Sequence, residues 1–166
     1  MALRIAFGSK AGTGKNTCAE YLQKEYGGKI LKFATKVYAI ADQTQQILGL
    51  SRKKDTTLLR FIGEGFRKLY GDDIWLNVVV KQIKLLSNET NIYITDLKYP
   101  NEFKKLKEMG FITVRVNRPI DRDPNAESEI ALDNFTADFD FVINNDSSLE
   151  ELYDQVEKIV KLQQHK

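Results

Sequence analysis

The residues best suited to chemistry stand together near the N-terminus: Gly8, Ser9, Lys10, Ala11, Gly12, Thr13, Gly14, Lys15, Asn16 and Thr17. A glycine-rich stretch ending in lysine, between an apolar run and an amphipathic one, suits a polyphosphate. Glycines let the backbone curl around the anion without Cβ clashes. The freed N–H groups and the N-terminus of the following helix then point at negative charge. Lys15 is placed to reach the β- and γ-phosphates of a nucleoside triphosphate. Against the pattern G-x-x-x-x-G-K-[ST], Ser9 stands where the first glycine falls. Asn16 stands where the hydroxyl falls, which moves the hydroxyl to Thr17. The plainer alternative is a strand-to-helix turn with no ligand; the strand–loop–helix setting favours phosphate. Cys18 reads as a small core residue under the loop rather than a nucleophile.

A second chemical group is Asp96, at the end of an apolar run from Asn91 to Thr95 that reads as the central strand. Ligands of open α/β sheets bind at that edge. A carboxylate there can hold a magnesium shell or orient an acceptor phosphate, or merely cap the next turn. Leu97 follows where a motor ATPase would often carry a catalytic glutamate, which favours transfer to a substrate over hydrolysis.

Other chemistries are excluded. The single histidine, His165, lies in a polar tail, and Cys18 is the single cysteine. Ser–His or Cys–His nucleophiles, disulfides and Cys-cluster metal sites are therefore not expected. Basic and acidic residues nearly balance, 25 against 23, for a net charge of +2, unlike a general nucleic-acid binder. No apolar run approaches the roughly 18 residues of a membrane span. The stretch from Ala2 to Phe7 is too short for a secretory signal and contains Arg4, so the chain is expected to start at Met1 in a reducing, cytoplasmic setting.

The elements that must position these groups alternate between short strands and longer helices, the signature of an α/β parallel sheet. At 166 residues, 42% hydrophobic and 29% charged, one domain is expected. Strands are expected at Leu3 to Phe7, Lys29 to Phe33, Asn91 to Thr95, Phe111 to Asn117 and Phe139 to Ile143. Helices are expected from Lys15 to Tyr26, stopped by Gly27, and from Pro100 to Met109, closed by Gly110. A last helix starts at Ser147 or Ser148, where both serines fit a capping box. Residues 35–88 read as three helices, about 35–48, 56–69 and 73–86, forming a helical insertion. The polar stretch from Arg118 to Asn134 reads as a lid.

The chain resembles the phage-type deoxynucleoside monophosphate kinases and their P-loop kinase relatives. Their loop of the form G-K-A-x-S-G-K-D-T is matched by Ser9 to Thr17. Lys32-Phe33-Ala34-Thr35-Lys36 is similar to the family's F-A-x-x-(L)K segment. Phe61-Ile62-Gly63…Arg67…Gly71-Asp72-Asp73-Ile74-Trp75 is similar to its G-x-x-x-R…G-x-D-x-W region. Ile94 to Glu102 resembles its I-T-D-x-R-x-x-N-E segment, with Lys98 for the usual arginine. Ser128-Glu129 and Ile143-Asn144-Asn145-Asp146 also have counterparts.

The resemblance implies a three-layer α/β/α P-loop kinase with a five-stranded parallel sheet. Its core would be 1–34, 89–117 and 135–166, its substrate-binding helical insertion 35–88, and its short lid 118–134. The implied reaction moves the γ-phosphoryl of ATP, with magnesium, onto a deoxynucleoside monophosphate. A related kinase acting on dephospho-coenzyme A is the alternative, or a nucleotide-binding regulator without transfer. Residues 10–17 would bind ATP. Thr17 and Asp96 would serve the magnesium, and Lys15, Asp96, Arg118 and Arg122 the transfer. Lys36, Arg60 and Arg67 would meet the acceptor's dianion, for which guanidinium groups are suited; a solvated basic face is the plainer reading of each. Trp75 either lines a nucleoside pocket or anchors a helix. Asn145 either contacts adenine or belongs to a turn and helix cap. The expected partners are small nucleotides, with neither nucleic acid nor membrane, and a homodimer is left open. The expected location is the cytoplasm, that of a host if phage-encoded.

Overall fold

The computed structural model describes residues 2–119 and 132–164. Its contacts divide the chain into two compact units, 1–31 with 86–166, and 32–85. Each is described by itself.

The first unit is built on five parallel strands, β1 (Arg4–Gly8), β2 (Lys29–Leu31), β3 (Ile92–Leu97), β4 (Ile112–Asn117) and β5 (Phe141–Asn144). They lie in the order β2-β3-β1-β4-β5. The central strand is therefore β1, and β3 lies beside it, which corrects the sequence expectation. Strand pairing is set by contacts distant in sequence, so the order is not legible locally. Helices α1 (Lys15–Tyr26), α5 (Pro100–Glu108) and α6 (Leu149–Gln164) flank the sheet.

Because side chains alternate across a strand, each face of the sheet collects its own apolar set. Leu3, Ile5, Phe7, Tyr93, Val114, Val116 and Ile143 meet Cys18, Ala19 and Leu22 of α1 and Leu152, Val156, Ile159 and Val160 of α6. Each such large side chain contributes about 1.5–3 kcal/mol on burial. On the other face Phe103 of α5 packs its ring 4.9 Å from Phe139 and 5.5 Å from Phe135. Phe139 thus belongs to an aromatic cluster ahead of β5 rather than to the strand expected there. Phe135 lies in a 3₁₀ turn, Asp133–Asp138, which the polar composition of that stretch concealed.

Asn91 ties the base of this unit together. Its side chain accepts from Leu3 N at 2.8 Å and donates to Tyr26 O at 2.7 Å. Gly27, at φ 67°, ends α1 as its type predicts. The second strand stops at Leu31, two residues short of expectation.

The second unit contains α2 (Thr35–Ile47), α3 (Thr56–Tyr70) and α4 (Ile74–Leu85), within one to two residues of the sequence reading. Asp55 caps α3, its Oδ1 accepting from Leu58 N at 2.9 Å. Gly71 closes α3, and its N–H donates to Arg67 O at 2.9 Å. Among the described residues no helix is long and apolar enough to cross a membrane.

Candidate functional site

The glycine-rich loop leaves the C-terminal end of β1 and enters α1 directly. Ser9, at the position of the pattern's first glycine, has a φ of 151° and is the one described non-glycine residue with positive φ. That backbone region is glycine-favoured. Ser9 therefore takes a backbone conformation that a glycine would adopt at less cost. Gly12 and Gly14 follow at φ 80° and 105°.

Lys15, the first residue of α1, is 8% exposed. Its ammonium folds back into the loop, donating to Ser9 O at 3.0 Å, to Lys10 O, and to Thr13 Oγ1 at 3.5 Å. Thr13 Oγ1 in turn donates to Lys10 O at 3.2 Å. A buried positive charge is thus held inside a ring of backbone at the N-terminus of a helix. Both features attract an anion. Lys10 and Thr17 are half-buried, and Ala11, Gly12 and Asn16 are exposed. Cys18 is fully buried. Burial pushes its thiol up to about 12, against the opposing pull of a backbone hydrogen bond and of Lys15, so it is no nucleophile at neutral pH.

Asp96 is half-buried in β3. The pairing of β1 with β3 runs from Ala6 opposite Ile94 to Gly8 opposite Leu97. One extra residue of β3 is accommodated there, a bulge at Thr95 and Asp96. Bulges of this kind re-aim side chains beside functional sites. The bulge also holds the one buried side-chain polar atom without a hydrogen-bond partner among the described residues, Thr95 Oγ1. The turn after Asp96 is fixed by Glu102. This carboxylate, 1% exposed, accepts from Lys98 N at 3.0 Å and Tyr99 N at 3.1 Å. The final glutamate of the I-T-D segment therefore has a physical reason: it folds the chain back after Asp96. The spacing from Tyr99 to Glu102, a helix-capping spacing, carried that signal in the sequence.

The donor set suits Mg²⁺ bound with a polyphosphate. Thr17 and Asp96 offer hard oxygen ligands, and Mg²⁺ takes few protein ligands when substrate phosphates and water complete its octahedron. No group of three or more His, Cys, Asp or Glu among the described residues forms an all-protein metal cage.

Asn145 joins this site by a route the sequence did not reveal. Its side-chain amide donates to Thr13 O at 2.9 Å, and its backbone N–H donates to Asn117 O at 2.7 Å. The turn expected after β5 is thus bonded to the phosphate loop itself. Helix α6 is capped as its sequence suggested, Ser148 Oγ accepting from Glu151 N at 3.2 Å.

The remaining candidates are dispersed. Arg118 is exposed just beyond β4. Arg122, with Ser128, Glu129 and most of the stretch read as a lid, lies outside the described residues. In the second unit Lys36 and Arg60 are exposed. Arg67 is half-buried, its Nη1 donating to Asp72 O at 2.7 Å beyond the end of α3. Trp75 is 4% exposed; its indole N–H donates to Gly63 O at 3.0 Å and its ring stacks on Phe66 at 5.7 Å. That is the geometry of a helix anchor.

No family model matches the chain. A protein of Acanthamoeba polyphaga mimivirus, provisionally named a deoxynucleotide monophosphate kinase, is 23% identical over 175 residues, covering 87% of this chain and 89% of that one. Among solved structures, the dephospho-CoA kinase of Campylobacter jejuni has a TM-score of 0.60 at 15% identity, covering 97% of this chain and 96% of its own. The shikimate kinase of Aquifex aeolicus has a TM-score of 0.56 at 14% identity, covering 98% and 96%. The chain has the α/β fold of the P-loop kinases.

Proposed function

We propose that the protein transfers the γ-phosphoryl group of ATP to a deoxynucleoside monophosphate. The observation that carries the reading is the buried Lys15 ammonium, held inside a glycine-rich ring at the N-terminus of α1. The provisional name of the mimiviral relative points to the same acceptor class.

In this reading the loop amides and Lys15 bind the donor's β- and γ-phosphates. Lys15 exchanges the carbonyls of Ser9 and Lys10 for phosphate oxygens, which are stronger acceptors because they are charged. Thr17 and Asp96 would hold a magnesium ion, which would neutralise charge on the donor phosphates. The bulge at Thr95 and Asp96 aims the carboxylate, and Glu102 fixes the turn behind it. Residues 35–88 are assigned to the acceptor, with Lys36 and Arg60 as exposed cations for its phosphate. Arg67 is assigned there as well, with its Nη1 donating to the Asp72 carbonyl. Arg118 and Arg122 neutralise the moving phosphoryl. The acceptor phosphate is itself the nucleophile, so positioning and charge neutralisation suffice and no strong base is required.

The structural neighbours named as kinases of dephospho-CoA and of shikimate use the same fold with unlike acceptors. Acceptor identity therefore belongs to the assay. ADP release from ATP and magnesium is measured with each of the four common deoxynucleoside monophosphates and with dephospho-coenzyme A, with Lys15→Ala as the blank. The expected result is release with one or two of the monophosphates, reduced at least about a hundredfold by Lys15→Ala. Release with dephospho-coenzyme A alone would replace the acceptor. ATP binding without release on any acceptor would leave a nucleotide-binding regulator.

A further inference from the structure

Asn145 occupies an unusual place. Its amide nitrogen would lie 2.5 Å from a Cβ built on Gly14. Only a glycine admits it so closely. From there it donates to the carbonyl of Thr13, the residue just before that glycine. It is itself held on a firm support. Its N–H is bonded to Asn117 O at the end of β4. Its neighbour Asn144 is clamped in both directions by Gln155 of α6, N to Oε1 at 3.1 Å and Nε2 to O at 2.9 Å.

The consequence lies in the peptide plane. The Thr13–Gly14 peptide is trans, so its C=O and N–H point in opposite directions. The Thr13 hydroxyl lies toward the Lys15 ammonium, whereas the Thr13 carbonyl is turned to Asn145. Pinning that carbonyl turns the Gly14 N–H away from Asn145. Gly14 is also the N-cap of α1, where N–H groups serve an anion. We infer that Asn145 is a positioning residue of the phosphate loop: its carboxamide holds the Thr13 carbonyl and so aims the Gly14 N–H at the bound polyphosphate. This rests on the phosphate-loop reading above and assigns Asn145 to the loop rather than to the base of the nucleotide.

Two ligands separate the possibilities. Magnesium tripolyphosphate has phosphates and no base; magnesium ADP has both. Calorimetric titration is carried out on the full chain as wild type, Asn145→Leu and Asn145→Asp, below the unfolding transition of each. Asn145→Leu keeps the approximate volume and removes the donor. Asn145→Asp keeps the shape and sets an acceptor against the carbonyl. The expected result is a loss of about tenfold for both ligands alike in Asn145→Leu, and a larger common loss in Asn145→Asp. Weakening of ADP with tripolyphosphate unchanged would overturn the inference and give Asn145 to the base. Unchanged affinity for both ligands in both variants would overturn it as well. Failure of the wild type to bind either ligand would overturn the phosphate-loop reading itself.

Discussion

Ser9 carries a conformation that the usual sequence pattern reserves for glycine. At φ 151°, a residue with a Cβ stores about 1–3 kcal/mol of backbone strain. Such strain persists where the surroundings over-determine the chain, and here the Ser9 carbonyl receives Lys15 Nζ at 3.0 Å. Replacing Ser9 by glycine removes the strain but adds unfolded-state entropy worth about 0.5–1 kcal/mol. The strain is the larger of the two, so Ser9→Gly is expected to stabilise the protein by about 1 kcal/mol. For a chain of this size that raises Tm by about 2–4 °C in a calorimetric scan. A lower Tm would mean that the serine side chain holds the loop by contacts worth more than the strain. The same carbonyl lets Lys15 tolerate burial, because its ammonium is paired with backbone oxygen.

Asp140 does for the elements what Ser9 does for the loop, joining three of them at the entry to β5. Its carboxylate accepts from Thr113 N at 2.8 Å and Thr113 Oγ1 at 2.9 Å in β4, and from Lys107 Nζ at 2.9 Å in α5. Burial alone would raise its pKa; the bonds from Thr113 and Lys107 outweigh it and hold the pKa below the ordinary 3.8. A depressed carboxyl stabilises the fold above its ordinary pKa, and the contribution is lost as pH falls below 3.8 toward the folded-state value. Asp140→Asn is therefore expected to cost about 1 kcal/mol at neutral pH, limited by solvent screening of a partly exposed carboxylate. Urea denaturation at a series of pH values should show the two proteins converging below pH 3.8. A gap that persists unchanged in acid would assign the loss to packing instead. Much of this scale was legible in sequence. Gly27, Gly71 and Pro100 marked the limits of α1, α3 and α5 because their effects are local. The partners of Asp140 and Asn145 were not, because they lie 27 and 132 residues away. Neither spacing leaves a periodic trace. Phe139 misled for the same reason: it sits in an apolar run of strand character, yet its partner is the ring of Phe103.

At the scale of the molecule, the first helix of the chain and the last close one face of the sheet in the first unit, and they are stitched by tyrosines. Tyr21 stacks on Tyr153 at 4.1 Å. The hydroxyls of Tyr21 and Tyr26 donate to the two oxygens of Glu157 at 2.9 and 2.7 Å. Beneath them Tyr93 is fully buried and donates to Gly27 O at 3.1 Å. The bond to Glu157, followed by burial, pushes Tyr21 and Tyr26 up to about 12; burial pushes Tyr93 to about 12. Each of these groups prefers its proton more in the folded chain than in the unfolded one. Their contribution to stability is therefore complete below the ordinary value of 10.0 and is lost as pH rises through about 12. Alkaline unfolding is expected within that window, with phenolate absorbance from Tyr21, Tyr26 and Tyr93 arriving late and together with loss of helical circular dichroism. Glu157→Gln removes the carboxylate opposite the first two. It should bring their titration down toward 10.0 while Tyr93 still waits for unfolding. Phenolate formation by all three near pH 10.0 in a chain that keeps its helical signal would show that the seam between α1 and α6 does not hold these protons.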